Sequence, residues 1–120
     1  MTNREQAMLI WPVLAQAAQM QRVLTYGAIA GFTGIAAVGQ GEALGMINRY
    51  CKRKRYPLLN TIAVLGQGEG VGFPSYGAPD ALSPAQYLEE RARVFAFDWT
   101  STAVDKPRPD DFEAAQSATA

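Results

Sequence analysis

Histidine is absent from this 120-residue chain, and cysteine occurs once, at Cys51. Without histidine, the Ser–His and Cys–His nucleophile pairs and the common zinc sites are excluded. A single cysteine also excludes a disulfide within the chain. The carboxylates show neither D-x-D nor E-x-x-H spacing. We therefore expect a protein that is not an enzyme and that holds no metal and no cofactor.

Long hydrophobic runs are lacking as well. No apolar stretch reaches the roughly 20 residues that a membrane-spanning helix needs. The N-terminal sequence MTNREQAM is not followed by the apolar region and cleavage site of a signal peptide. The sequence therefore predicts a cytoplasmic protein without membrane association.

The composition that remains is that of one folded domain, with 48% hydrophobic and 18% charged residues. The net charge is zero, but its distribution is uneven. Residues 1–58 carry seven Lys and Arg against two Glu, a balance of +5, and the remainder carries −5. This asymmetry predicts a basic face on a body with an acidic end.

The order of elements indicates the fold class. Capping residues and apolar spacing predict helices at about 3–21, 26–32, 41–55 and 84–98, with a strand–turn–strand wing at about 58–73. This order is that of a winged helix-turn-helix domain over residues 1–99, followed by a flexible acidic tail over 100–120. The predicted class is thus α+β, mainly α, with a β-hairpin wing and an extra C-terminal helix.

Local signals fix several of these bounds. Thr2 or Asn3 can cap the first helix, which either kinks or starts afresh at Pro12. Thr25 caps the second helix, whose Ile29, Ala30 and Phe32 we expect to face inward. Gly34 is the usual residue past a helix end.

Two later stretches complete the prediction. Leu58–Leu65 is expected to be a strand, because it is rich in apolar and β-branched residues, and Val71–Phe73 its partner across a Gly-rich turn. Ser83, Pro84 and Gln86 form a capping box at the start of the fourth helix.

The third helix carries the densest charge in the chain. Leu44, Ile47 and Cys51 recur at i, i+3 and i+7 and predict a buried face. The opposite, exposed face is expected to hold Gly45, Asn48, Arg49, Lys52 and Arg53. With Lys54 and Arg55, five cations fall within residues 49–55. This run predicts contact with nucleic-acid phosphates; contact with an acidic protein and a simply solvated helix end remain alternatives.

Other polar residues are candidates for reading DNA. Asn48 and Gln40 are placed to reach base edges, and Gln67 at the tip of the wing is placed to enter a minor groove. A phosphate-binding loop over 66–72 is disfavoured, because the glycines lack the Lys-Ser/Thr ending and no helix follows directly.

The last helix is richer in aromatic residues than a small wing domain requires, with Tyr87, Phe95, Phe97 and Trp99. They either cover the back of the wing or present a surface to a protein partner or a second copy. The acidic tail either contacts that partner or folds over the basic helix and masks it. Glu89 and Glu90 are interpreted as surface charge.

Several short stretches resemble the DNA-binding domain of the O6-alkylguanine-DNA alkyltransferases and alkyltransferase-like proteins. Thr25-Tyr26-Gly27-Ala28-Ile29-Ala30 is similar to the family's T/S-Y-x-x-L/I-A, and Ala43-Leu44-Gly45 to its A-V-G in the recognition helix. Asn48 lies near the position of the family's helix-ending Asn, and Pro57 near that of the Pro that opens P-C-H-R-V. Gly72-Phe73 looks like its G-G-Y/F. The resemblance covers about residues 8–75 and implies a winged-helix fold in which Tyr26 contacts a DNA phosphate.

The reactive positions of the family differ in this chain. Leu58, Leu59 and Asn60 stand where the family has Cys, His and Arg. Glu42 stands where the family has the Arg that fills the gap left by a flipped base, and a carboxylate there opposes entry into a groove lined by phosphates. The resemblance therefore implies shared architecture without the shared reaction.

Cys51 does not replace the missing nucleophile, because it lies on the apolar face with no general base beside it. It is interpreted as a buried structural thiol; a redox role stays open, because nearby cations would lower the pKa of an exposed thiol. The sequence thus predicts a non-catalytic winged-helix DNA-binding protein, with a protein-interaction adaptor or inhibitor of a nucleic-acid-processing complex as the alternative.

Overall fold

The computed structural model describes residues 2–66, 72, 74, 82–101 and 107–113. This part of the chain is mainly helical and contains a small parallel sheet, so the α+β, mainly α class is confirmed. The elements are α1 Asn3–Gln19, β1 Leu24–Thr25, α2 Tyr26–Thr33, α3 Gly41–Lys54, β2 Ala63–Val64 and α4 Pro84–Ala96. Short 3-10 helices span Ala37–Gly39, Leu59–Ile62 and Pro109–Asp111.

The first helix, α1, runs through its internal proline without a break. The hydroxyl of Thr2 accepts from the Glu5 amide at 3.1 Å and caps the N-terminus. A proline inside a helix costs about 3 kcal/mol, but Pro12 is exposed while Trp11 and Leu14 beside it are buried as predicted. Packing on both sides of the proline outweighs its cost, and the predicted fresh start at Pro12 is wrong.

The second helix, α2, follows directly from β1. The Thr25 hydroxyl accepts from the Ala28 amide at 3.0 Å, and Gly34 ends α2 with φ 78°, so both predicted caps are confirmed. Ile29 is fully buried, but Phe32 is 71% exposed, which corrects its predicted inward position. α2 is only eight residues long, and only Ile29 within it is fully buried.

Residues 58–65 form a 3-10 helix and a very short strand where one long strand was predicted. The amide and hydroxyl of Thr61 both donate to the Leu58 carbonyl, at 3.0 and 2.7 Å. This turn stands in place of the β-ladder hydrogen bonds that the predicted strand would make. The remaining strand β2 pairs in parallel with β1, Ala63 opposite Leu24. Composition favoured a strand here, and local hydrogen bonding from Thr61 favours the turn.

The predicted wing lies largely outside the described residues, which include only Gly66, Gly72 and Pro74 of 66–75. The Gly72 amide donates to the Leu65 carbonyl at 2.9 Å and brings the ends of this loop together. Arg91 on α4 donates to the Gly72 carbonyl at 2.5 Å. The return strand, its hairpin and Gln67 stay predictions.

The fourth helix, α4, begins as predicted. The Ser83 hydroxyl accepts from the Gln86 amide at 3.2 Å, and the Gln86 side chain accepts from the Ser83 amide at 2.8 Å. Together these two bonds complete the capping box that the sequence predicted.

Aromatic residues at the end of α4 join the core. Trp99 is 5% exposed, and its Nε1 donates to the Val94 carbonyl at 2.9 Å. Its ring centroid lies 4.5 Å from that of Phe97 and 5.7 Å from that of Trp11. Phe95 is partly buried against the same core, and Tyr87 is half-buried. Most of this aromatic surface is thus used inside the chain, which corrects the prediction that Trp99 faces a partner.

Part of the predicted flexible tail is packed. Within 107–113, Phe112 is fully buried and Pro107 is buried as well. The 3-10 helix Pro109–Asp111 packs on α1. The prediction of a wholly flexible tail is therefore wrong for this segment, which we call the docked segment.

Candidate binding surface on α3

The helix α3 has one face in the core and one face rich in cations. The predicted apolar positions Leu44, Ile47 and Cys51 are buried. α1 is its main packing partner among the helices. Lys52, Arg53, Lys54 and Arg55 are exposed at its C-terminal end. The geometry of the core therefore turns this basic end toward solvent.

Two predicted base-reading residues are buried and not exposed. Gln40 is fully buried, and its Nε2 donates to the carbonyls of Tyr26 and Ile35, both at 3.0 Å. Asn48 is 2% exposed and donates to the Asn60 side chain at 3.2 Å. Gln40 Nε2 and Asn48 Nδ2 are thus hydrogen-bonded, as buried donors usually are, whereas Gln40 Oε1 is buried with no hydrogen-bond partner in the described part of the chain. Both side chains thus join α3 to neighbouring segments, and they do not reach a ligand from this position.

The guanidinium of Arg49 folds back along α3. Nη2 lies 3.0 Å from Glu42 Oε1, and Nε donates to the Glu113 carbonyl at 2.8 Å. Gly45 is covered by this side chain, since a Cβ there would lie 3.2 Å from Arg49 Nη1. The predicted exposure of Gly45 is therefore wrong.

Arg53, one turn along α3, is held by the docked segment. Nη1 lies 2.7 Å from Glu113 Oε1, and Nη2 donates to the Asp111 carbonyl at 2.7 Å. The guanidinium carbon is 5.5 Å from the centroid of the Tyr50 ring, within cation–π range. We call Arg49 and Arg53 the bound pair, because the docked segment contacts both.

The remaining cations, Lys52, Lys54 and Arg55, form what we call the terminal cluster. Lys54 Nζ lies 6.0 Å from the Tyr50 ring centroid, and Arg55 ends α3 in the left-handed conformation with φ 61°. All three side chains are exposed at the helix C-terminus. The negative end of the helix dipole stabilises cations at this position.

The docked segment is anchored by one aromatic side chain. The centroid of the Phe112 ring lies 5.7 Å from that of the Tyr50 ring. The backbone carbonyl of Phe112 accepts from Arg4 Nε at 3.0 Å. Arg4, Arg49 and Arg53 thus bind the backbone and the Glu113 carboxylate on both sides of the phenylalanine. Of the two alternatives that the sequence left for the acidic tail, the segment matches the fold over the basic helix in part, because it covers Arg49 and Arg53 and leaves the terminal cluster exposed.

The energies that hold this segment are close to balance. Burial of one Phe stabilises by about 1.5–3 kcal/mol, and each hydrogen bond from a charged donor by about 1.5–3 kcal/mol. An exposed ion pair such as Arg53–Glu113 adds less than about 1 kcal/mol. Fixing the backbone of seven residues costs about 7–14 kcal/mol. Docking of the segment is therefore sensitive to loss of any one of these contacts.

Cys51 lies at the back of this surface. Burial raises the pKa of the Cys51 thiol to about 12. Its backbone partner Leu59 opposes the shift, and the charge of Glu90 adds to it. A thiol that stays protonated at neutral pH is a poor nucleophile, which fits the predicted structural role.

Glu90 has a structural role that the sequence did not indicate. Its Oε2 accepts from the Leu58 amide at 2.8 Å, and its Oε1 lies 3.0 Å from Arg93 Nη1. Its side chain is 13% exposed, which corrects its prediction as plain surface charge. The contact fixes the chain between α3 and β2 against α4.

Sequence reasoning missed three residues of the surface: Arg4, Phe112 and Glu113. Phe112 is the only aromatic residue beyond Trp99, and acids stand on both sides of it. That isolated aromatic in a polar stretch was the available signal. Tyr26 is half-buried at the start of α2, and its carbonyl accepts from Gln40.

A second, apolar groove lies away from α3. It has a volume of about 390 Å³ and is lined by residues of α1, β1 and α2, with Met20 and Phe32 among them. In the described part of the chain, no cluster of His, Cys, Asp or Glu side chains suits a metal ion. None of the described helices has the length and apolar character to cross a membrane.

Comparisons of the chain with protein-family models, with curated proteins and with solved structures return no match.

Proposed function

We propose that the protein binds DNA without catalysis, through phosphate contacts made by the basic end of α3. The observation that carries the proposal is the terminal cluster, three exposed cations on the last turn of a helix whose other face is the core. Cations placed in this way neutralise phosphates and release counterions, which supplies most of the affinity of sequence-independent binding.

In the proposed complex the protein contacts the phosphate backbone of the DNA and not its bases. Gln40 and Asn48 are buried, and Glu42 pairs with Arg49, so the first half of α3 offers few donors to base edges. Phosphate contacts position a protein but carry no sequence information. We therefore expect similar affinities for duplexes of different sequence. The winged-helix resemblance supports a DNA-binding scaffold and stays part of the proposal.

A fluorescence titration with a labelled duplex over a series of salt concentrations tests this function. The variant with Lys52→Ala, Lys54→Ala and Arg55→Ala is expected to bind at least about tenfold more weakly at low salt. The slope of log K against log salt should become shallower by about 2.7, which is 0.9 for each lost phosphate contact.

The matched control replaces three cations outside this surface, Arg22→Ala, Arg91→Ala and Arg93→Ala, and removes the same charge. It should keep the wild-type slope within about one unit, since the proposal places no phosphate there. Equal losses in both triple variants, or no binding by the wild type at low salt, would contradict the proposed function.

A protein-interaction role, as an adaptor or inhibitor of a nucleic-acid-processing complex, is the second candidate. The docked segment favours it, because an acidic peptide with a buried phenylalanine already lies on Arg49 and Arg53. The same cations are therefore suited to a carboxylate ligand.

A further inference from the structure

We infer that the surface between α1 and α3 is a binding site for an acidic peptide with one aromatic anchor, and that the docked segment is its resident occupant in cis. The partner is another protein that presents a phenylalanine followed by a carboxylate, as Phe112 and Glu113 do here. The site includes Arg49 and Arg53 but not the terminal cluster, and it gives the protein-interaction candidate a defined location.

The aromatic part of the site is formed by the contact of the Phe112 ring with Tyr50. Phe112 is fully buried, and its ring packs at 5.7 Å against Tyr50, itself 1% exposed. Tyr50 is fixed from behind by Trp11, with the ring centroids 5.4 Å apart in an edge-to-face arrangement. Paired aromatic rings prefer this geometry. The pocket thus receives a ring supplied by a separate stretch of chain, with Tyr50 of α3 against that ring and Trp11 of α1 behind Tyr50.

The polar part of the site recognises peptide backbone and one carboxylate. Arg4 donates to the Phe112 carbonyl, Arg53 to the Asp111 carbonyl and Arg49 to the Glu113 carbonyl, at 3.0, 2.7 and 2.8 Å. Three consecutive carbonyls accept from three arginines, so the contacts follow the main chain and suit other sequences. Only the Glu113 carboxylate, 2.7 Å from Arg53, adds a side-chain requirement.

These contacts favour a peptide over a nucleic acid as the ligand. A buried aromatic anchor that is flanked by hydrogen bonds to carbonyls is a feature of peptide recognition, and such anchors dominate interface energies. The docked segment competes with an incoming peptide, because both need the same pocket. Binding of a separate peptide is therefore expected only when the contacts that hold the docked segment are weakened.

The test uses a fluorescein-labelled peptide of residues 107–113 and the full-length chain in two forms. The Phe112→Ala chain is expected to bind the peptide at least about twofold more tightly than the wild type, because its pocket is vacated, whereas the near-balanced segment closes the wild-type pocket for part of the time. The Glu113→Gln chain keeps the anchor and should show a smaller gain. Circular dichroism of each chain establishes that it is folded.

Two controls define the site. A peptide that carries Phe112→Ala should lose at least about tenfold in affinity for the Phe112→Ala chain. Adding Arg53→Glu to that chain should also abolish binding, whereas Arg22→Glu, at an exposed residue just after α1, should leave it unchanged.

The proposal is overturned if the folded Phe112→Ala and Glu113→Gln chains both bind the peptide no better than the wild type. It is also overturned if the Phe112→Ala peptide binds equally well. A third contrary result is tighter DNA binding by the Phe112→Ala chain without peptide binding, which would make the segment only a mask over a phosphate site. The first two results do not depend on whether the wild type binds DNA.

Discussion

The two faces of α3 differ in what their side chains contact. The inner face packs in the core, since Leu44, Ile47 and Cys51 are buried and Asn48 Nδ2 donates to Asn60 Oδ1. The outer face is divided between a bound pair held by the docked segment and a terminal cluster exposed to solvent. The inner face specifies one structure, whereas the outer face offers cations to more than one acidic ligand.

Tyr50 connects the two faces of α3, because it contacts the core on one side and the docked segment on the other. Its ring lies within 5.7 Å of the Trp11 and Phe112 rings, and the Arg53 guanidinium lies 5.5 Å from its centroid. One buried side chain thus supports the core, the pocket for Phe112 and the orientation of a cation. Substitutions of Tyr50 and of Phe112 therefore distinguish contributions to the stability of the core from contributions to docking of the segment.

The largest expected effect is on stability and compares Tyr50 with its neighbour in the segment. Tyr50→Ala leaves a cavity in the core and should lower the free energy of unfolding by about 3–5 kcal/mol. Phe112→Ala should cost less than about 3 kcal/mol, because the segment can detach and then loses only its own contribution. Urea denaturation followed by tryptophan fluorescence measures both.

Leu88→Ala is the control for that comparison, because Leu88 is 51% exposed on α4 and its loss should change stability by less than about 0.5 kcal/mol. Equal losses for Phe112→Ala and Tyr50→Ala would show that the segment is an inseparable part of the core.

The next effect concerns the thiol on the inner face. A rise in the pKa of Cys51 from 9.0 to about 12 reduces the thiolate at pH 8 by about a thousandfold. Reaction with a disulfide reagent should therefore be slow in the folded protein and fast in urea. The rate ratio between the two conditions is the measurement.

The same shift predicts a pH dependence of stability. The unfolded state releases the Cys51 proton first as pH rises above about 9, so the free energy of unfolding should fall between about pH 9 and 12. Cys51→Ala should remove this part of the pH dependence. A thiol that reacts rapidly in the folded protein at pH 8 would contradict the assignment of Cys51 to the inner face.

The smallest effect separates the bound pair from the terminal cluster. Arg49→Ala with Arg53→Ala should change the salt slope of DNA binding by less than about one unit in the intact chain, because the segment already neutralises the pair. On a Glu113→Gln background, the same double substitution should change the slope by more. Equal changes on both backgrounds would show that the segment does not compete with DNA for these arginines.

Local signals in the sequence predicted much of the fold. Thr25, Gly34 and Ser83 mark helix ends through hydrogen bonds or backbone angles that involve only near neighbours, and all three are confirmed. Leu58–Leu65 was misjudged, because its composition favours a strand while the Thr61 hydrogen bonds favour a turn. Propensity alone does not decide such short stretches.

The candidate site was predicted less well, because its contacts join distant parts of the chain. Asn48 follows Leu44 by four positions and therefore shares its buried face, yet its polarity suggested exposure. Phe112 reaches α3 across about 60 residues of sequence, and no local pattern encodes that contact. The basic run itself was evident, whereas its division by an acidic segment was not.

Backbone amide NMR of the labelled protein, titrated with an unlabelled DNA duplex at low salt, tests the central claim most directly. We predict that the largest chemical-shift changes fall on the terminal cluster, Lys52, Lys54 and Arg55, with smaller changes on Arg49 and Arg53 while the segment stays docked. Changes centred on the groove between α1 and α2, or on the exposed face of α4, with the terminal cluster unaffected, would contradict it.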